Sequence, residues 1–482
     1  MSAEADRARL LEAMASLGAG SPSTFLMPRT AKRLLDPATV VVIGARGSGK
    51  SALARFLVET SATRSVPAHV MLQDQGAPPV SWLDAFSQRE TRHPEAMVLD
   101  DFVRGADDEM LRGFWLNWLV VSIFAYGVDI GISPVPPGFS ELHARGRREP
   151  AKAFLHTAAE RVSLVEMLDV SERRLTDVTF TFVYDDLDLV GAFDPTLRAR
   201  FVRALLAMWA SFSTRYKNLR AKIFVPPDLL DLRQFDTVDV SKLLARAERL
   251  EWDTASLYRL VLRHLGQHGP EVRAWLTSFG VTFQDLGDDL GWMPAEPSDE
   301  VQHRWLAATL RAIVAVGGTR SGVERWIPNR LRDGNDRVAP RSMLSFFREA
   351  ARLAQARPPR AHWNHLLSVE DAVGALGAVG GNRVAEVRAV YEWVDRLEAL
   401  RGKVMPKPRP EIEALLETDP RDAPKATPPR DGRTVTRELI RMGLLRALRV
   451  DDLLDLPDLF VEHFGVRRVE EQGALTARAR PS

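Results

Sequence analysis

Gly44-Ala45-Arg46-Gly47-Ser48-Gly49-Lys50-Ser51 fits the pattern G-x-x-x-x-G-K-[ST]. Each fixed position in it meets a need of a bound phosphate. Glycines let the loop wrap an anion with its N–H groups turned inward. A helix starting near Gly49 would add the positive end of its dipole. Lys50 would reach the β- and γ-phosphates of a nucleoside triphosphate, and the Ser51 hydroxyl would ligate Mg²⁺. A second run, Phe180–Asp186 (FTFVYDD), is an apolar strand that ends in acids. Asp185 would then lie at a strand's carboxyl end, where open α/β sheets bind ligands, and would hold Mg²⁺ through its water shell. Asp186 would orient or deprotonate an attacking water, the role that separates a hydrolase from a binder. The plainer reading of Asp186 is a cap on the following turn. Asp188 reads as a cap or loop residue able to brace the site.

Other groups give weaker signals. Ala221–Val225 runs into Pro226-Pro227-Asp228, and Asp228 would repel phosphate, so no ordinary γ-phosphate sensor is visible there. Arg46 belongs to the binding loop, with its side chain expected in solvent. Arg341, after Pro340 at a helix start, is the first choice for a lid arginine reaching the γ-phosphate. Its bland alternative is a surface or salt-bridged role. Arg320 and Arg325, beside Trp326, are further candidates. His362 and His365 lack a nearby carboxylate to complete a metal site. Trp115, Trp118, Phe124 and Tyr126 fall at helical spacing and read as core, not as a base-stacking platform.

The elements that must position these groups alternate. Ala38–Ile43 reads as a buried strand feeding the loop, and Ser51–Glu59 as the helix after it. Val66–Leu72 is the expected second strand, and Pro78 to Val170 a mostly helical insertion. Val178–Tyr184 and Ala221–Val225 are strands separated by a helix, Pro195–Phe212. Leu250–Trp252 is a fifth strand leading into a helix at Thr254–Leu265. Such alternation implies a parallel sheet with covered faces. Beyond residue 268 strand signals fade, and helices are expected at Val301–Ala315, Pro340–Ala354, Val369–Gly377 and Asn382–Leu400. The expected plan is therefore α/β: a lead-in (1–37), a three-layer core (38–265) holding a helical insertion near 80–170, a helical lid (266–402), a Pro-rich charged linker (403–433) and a small C-terminal module (434–482). That module is compatible with a small helical or a winged-helix fold.

Bulk properties bound the alternatives. With 482 residues, the length suggests roughly two to four structural units. The net charge of +1 gives no global basic field for nucleic acid, and the absence of cysteine excludes disulfides, thiolate metal sites and thiol catalysis. The N-terminal stretch lacks the order of a signal peptide. Phe114–Ile132, interrupted by Asn117, Ser122 and Asp129, reads as a buried helix and not a membrane span. A cytoplasmic protein without a membrane partner is expected. Arg437, Arg441, Arg446 and Arg449 could make the C-terminal module a dock for protein or nucleic acid, against the plainer reading of a solvated helix face.

The two motifs, GARGSGKS and TFVYDDLD, resemble those of the additional-strand P-loop ATPases. Among these the chain is similar to the bacterial KAP-like and STAND-type groups, whose Walker B strand ends in Asp-Asp-x-Asp. It also resembles a little-characterised group of bacterial P-loop ATPases, many found near phage-defence or mobile loci. That second likeness rests on Arg46-Gly47 inside the Walker A loop, KIF…D from Lys222 to Asp228, and Ser241-Lys242 ahead of Leu250–Trp252. Trp326-Ile327-Pro328, Pro340-Arg341-Ser342 and Leu456–Asp458 complete it. In that group an arginine precedes the Asp of KIF…D, whereas Pro226 and Pro227 stand here, so efficient hydrolysis from a cis arginine is put in doubt. No LSGGQ-like signature of ABC-type ATPases is present.

The resemblance and the residues together imply an ATP- and Mg²⁺-binding ATPase coupling hydrolysis to conformational change or assembly, in a bacterial defence or DNA-associated complex. The alternative is a low-turnover nucleotide-gated switch in a regulatory complex. A small-molecule kinase is a third option, for which no acceptor pocket is identifiable. Efficient hydrolysis is expected to depend on the lid closing, on self-association or on a protein partner.

Overall fold

The structure, a computed structural model, describes residues 3–18, 22–63, 80–87, 94–127, 158–175, 178–190, 195–230, 238–295, 313, 322–357, 365–389, 391–417, 431–448 and 452–468. The chain forms two compact units: a core unit, Met27–Glu251, and a second unit built from Met1–Leu26 and Trp252–Ser482. The opening helix, α1 (Ala3–Ala15), therefore belongs with the C-terminal chain.

The core unit is a five-stranded, wholly parallel sheet. Its strands are β1 (Val41–Ile43), β2 (Val80–Phe86), β3 (Thr179–Tyr184), β4 (Leu219–Val225) and β5 (Glu248–Arg249), in the order β2-β3-β4-β1-β5. Interior parallel strands are buried on both faces, so they must be apolar throughout. Val41 and Val42 in β1 are fully buried, as is nearly all of β3 and β4. The edge strand β2 falls in the stretch expected to be helical. Its polar Ser81 and Asp84 and an irregularity between Asp84 and Phe86 break the apolar run that reveals interior strands. The expected strand Val66–Leu72 lies outside the described residues. The fifth strand pairs two residues earlier than expected, at Glu248–Arg249, and Leu250 N still donates to Ile43 O.

Helices cover both faces. The residues Phe182 and Tyr184 point into an aromatic layer with Trp115, Phe201 and Trp209. The core-unit helices are α2 (Lys50–Thr63), α3 (Ala96–Gly105), α4 (Asp108–Gly127), α5 (Ala158–Arg174), α6 (Pro195–Arg215) and α7 (Val238–Ala245). The indole N–H of Trp115 donates to Phe201 O at 3.0 Å and that of Trp118 to Ala85 O at 2.7 Å, so both rings are core with their polar atoms satisfied. The side chains of Phe124 and Tyr126 lie outside the description. On the opposite face α2 packs over β2, β3 and β4. No described helix is long and apolar enough to cross a membrane.

The second unit continues with α8 (Thr254–Gly266) and α9 (Pro270–Thr277), then a hairpin, β6 (Phe283–Asp285) and β7 (Trp292–Pro294), in a stretch expected to hold only helices. Three-residue strands are too short to show alternation. The helix expected at Val301–Ala315 lies outside the described residues apart from Ile313. After α10 (Gly322–Leu331) and α11 (Pro340–Gln355), a 3-10 helix at Glu392–Leu400 completes the second of the two expected helices, and α12 (Val369–Arg388) runs through the expected break between them. Gly380 and Gly381 do not stop it. A Cβ on Gly380 would meet Leu459 O at 2.3 Å, and one on Gly381 would meet His463 Nδ1 at 2.9 Å, so these glycines admit a neighbouring helix.

The first half of the expected linker is ordered. It holds β8 (Val404–Met405), β9 (Lys407–Pro408) and α13 (Arg409–Leu415), with Met405, Ile412 and Leu416 fully buried. Residues 418–430 lie outside the description. There follow α14 (Gly432–Arg441), β10 (Arg446–Ala447), β11 (Leu453–Asp455), α15 (Asp458–Phe464) and β12 (Arg467–Arg468). The sequence predicts helices over Glu438–Leu448 and Val450–Phe464; α14 and α15 fill the start of the first and the end of the second, while β10 and β11 take the residues between. Gly443, at φ 76°, turns the chain out of α14 and into β10.

Candidate functional site

The loop Gly44–Gly49 joins the carboxyl end of β1 to α2. Its start is fixed to the sheet, since Gly44 N donates to Val225 O at the end of β4 (3.1 Å). Gly47 (φ 77°) and Gly49 (φ 94°) occupy the left-handed region that favours glycine. Gly44 is constrained by space: a Cβ there would meet Ser48 Oγ at 2.4 Å and Lys50 Cγ at 2.9 Å. Lys50 arches back over the loop, and its Nζ donates to Gly44 O (2.8 Å) and Ala45 O (3.2 Å). Burial pulls the Lys50 pKa below the ordinary lysine range. Asp188, Asp185 and Asp228 favour its charged form, and Arg46 opposes it. Ser51 lies in the first turn of α2.

Asp185 is 3% exposed, directly after β3, and its N–H donates to Phe86 O at 2.8 Å. Asp186 adopts φ 55°, a left-handed conformation that Asp tolerates better than most residues. It stands at the cap position of the 3-10 turn Leu187–Leu189, yet its side chain makes no cap hydrogen bond.

Arg46 departs from expectation. Its side chain is only 16% exposed and not in solvent: Nη1 pairs with Asp188 Oδ2 at 2.5 Å, and Nη2 lies 3.6 Å from Asp228 Oδ2. Asp188 braces the loop through this guanidinium. Asp228 sits in the 3-10 turn Pro227–Leu229 after β4, with its charge offset by Arg46. Loop, Asp185, Asp188 and Asp228 thus gather at one end of the sheet, with Asp186 beside them in the chain.

A cavity of about 150 Å³ adjoins this group between α2, β2 and β3, lined by Arg55, Glu59, Asp84, Ser87 and Asp185. Ser87 Oγ donates to Asp84 Oδ2 at 2.8 Å. Sequence reasoning missed Asp84 because it missed β2; the acid near the end of a short alternating run, VSWLDAF, was the available signal.

Arg341 lies in the second unit, in the first turn of α11. It is 61% exposed and Nη1 donates to Glu386 Oε1 at 2.8 Å, the salt-bridged surface alternative. Arg325 is exposed on α10. Arg320, His362 and Arg449 lie outside the described residues. Among the described residues no cluster of three or more His, Asp or Glu forms a metal cage. No protein-family model matches the sequence, and a search of curated proteins finds no significant match.

Proposed function

We propose that the core unit binds ATP with Mg²⁺ in the loop Gly44–Ser51 and hydrolyses it, coupling the cycle to a conformational change or an assembly step. The observation that carries this reading is the loop in its setting. A glycine-rich turn lies between an interior parallel strand and a helix, Lys50 arches over its first two carbonyls, and a buried acid ends β3, with β4 between. That interposed strand supports the additional-strand P-loop class. Ser51 and Asp185 suit Mg²⁺, which takes one or two carboxylates together with substrate phosphates and keeps several waters; when bound it would neutralise charge on the β- and γ-phosphates.

The chain's own residues then divide the work. Loop N–H groups and Lys50 bind and orient the phosphates. Asp186 orients a water and takes its proton. The water oxygen bonds to the γ-phosphorus as the bond from that phosphorus to the β–γ bridging oxygen breaks, and ADP leaves with the electron pair. Lys50→Ala should abolish ATP binding measured by calorimetry. Asp186→Asn should bind ATP like the wild type and release no phosphate; release at the wild-type rate would remove Asp186 from this role.

The end of β4 favours a second reading, a nucleotide-gated switch with little turnover, because Pro226-Pro227-Asp228 offers no ordinary sensor. Tightly retained nucleotide in the purified protein, with negligible phosphate release, would support it. The succession β9–α13–α14–β10–β11, with β11 between β10 and β9 in an antiparallel sheet, supports a winged-helix reading of the C-terminal elements. Arg437 is exposed there, whereas Arg441 pairs with Glu438 and Arg446 with Asp336. Docking to nucleic acid through this module predicts gel shifts that weaken as salt rises.

A further inference from the structure

We infer that Arg46 is the arginine that contacts the γ-phosphate in cis, so that the loop itself carries the group absent from the end of β4. The inference rests on the ATPase reading above and assigns one more residue to that site. Asp188 follows the end of β3 and Asp228 the end of β4. Ion pairs from Arg46 to both therefore hold its guanidinium at the carboxyl ends of those two strands, the end at which Asp185 and Asp186 follow β3. On the ATPase reading this is also the end of the sheet where Asp186 would orient the attacking water. Lys50 feels Asp188, Asp185, Arg46 and Asp228 together, which puts all five charges in one neighbourhood.

Without nucleotide, three carboxylates offset two cations. A triphosphate concentrates more negative charge than either aspartate and competes for the guanidinium, whose planar fork matches phosphate oxygens. Charge grows on those oxygens during transfer, so a positioned arginine lowers the barrier more than it strengthens ground-state binding. Asp188 and Asp228 hold the fork ready beforehand, which limits the conformational entropy lost when it engages.

The test uses the full-length protein and its Arg46→Ala, Arg46→Lys and Asp188→Asn/Asp228→Asn variants, with melting temperature as a check on folding. Three quantities are measured: equilibrium affinity for ATP and for ADP, single-turnover phosphate release, and retention of ADP with aluminium fluoride. Arg46→Ala should slow single-turnover release at least ~100-fold, abolish retention of ADP with aluminium fluoride, and lower the preference for ATP over ADP about tenfold. Arg46→Lys should keep the ATP preference and still lose rate, since a point charge replaces the fork. The double Asn variant should bind Mg²⁺-free ATP more tightly than wild type. Wild-type rate and wild-type ATP preference in Arg46→Ala would overturn the inference and leave the nucleotide-binding reading intact. Failure of the unmodified protein to bind ATP would overturn the reading beneath it.

Discussion

Lys222 illustrates how a single charge in an apolar strand shapes the core. It lies wholly buried in β4, with Nζ donating to Asp36 O (2.8 Å) and to Thr39 O, and 5.8 Å from the centre of the Trp82 ring. Burial lowers its pKa to about 7, only partly countered by Asp36. The folded protein thus releases this proton near pH 7, while an unfolded chain keeps it to the ordinary lysine range near 10.5. Between those values the unfolded state binds more protons, so stability rises with pH. The contribution is complete above about 10.5 and is lost as pH falls to about 7. Lys222→Met should flatten that part of a plot of melting temperature against pH. It should also cost about 1–3 kcal/mol at neutral pH if the two carbonyls go unsatisfied; an unchanged slope would refute the assignment. At this scale the sequence was informative where a residue type has one chemical use. Lys50, Ser51 and Asp185 fall where their spacing implied. Arg46 did not, because whether an arginine faces water or two carboxylates depends on loop ends brought together by the sheet.

Elements were legible in proportion to how completely they are buried. β1, β3 and β4 are interior strands, and their continuous apolar runs announced them. β2 lies at the edge and mixes Ser81 and Asp84 into its run, so it read as helix. Glycine misled in the opposite direction. Gly377, Gly380 and Gly381 read as a break, yet α12 passes through them because α15 packs against that face. Gly380→Ala would force a Cβ onto the carbonyl oxygen of Leu459, a backbone atom that cannot swing away. A loss of about 1–3 kcal/mol in denaturant unfolding is expected, greater than for Gly377→Ala, whose Cβ would meet Glu462 Cβ at an ordinary 3.6 Å. The aromatic layer allows a similar comparison in the core unit. Trp115 has its ring centre 4.5 Å from that of Phe201 and is fully buried. Trp115→Ala should cost about 3–5 kcal/mol, with loss of nucleotide binding only at temperatures where the unit itself unfolds.

Over the whole chain, the core unit is continuous in sequence while the second unit is not. Every residue of the proposed nucleotide site lies within Met27–Glu251, together with a hydrophobic core of its own. A fragment of those residues should therefore bind ATP with an affinity within about tenfold of the full-length protein. Calorimetry on the fragment checks this; a folded fragment that binds no ATP would show that the site needs residues from elsewhere. The sequence did not disclose this arrangement. Periodicity reports which face of an element is buried, not which distant element buries it, and α1 carries no mark that its partner is α11.

The ends of the core unit come together: its first turn, Arg29–Leu35, touches its last strand, and Arg33 Nη1 stands 4.0 Å from Glu248 Oε1. In the second unit, Pro22–Thr24 likewise touches α8, on the other side of the interruption. The core unit thus interrupts the second at a single point, between Leu26 and Trp252, so one cut and one join should separate the two. Splicing Leu26 to Trp252 through a short linker should leave the second unit, helices and small sheets together, folding on its own, and the excised segment should tolerate being re-entered from new termini.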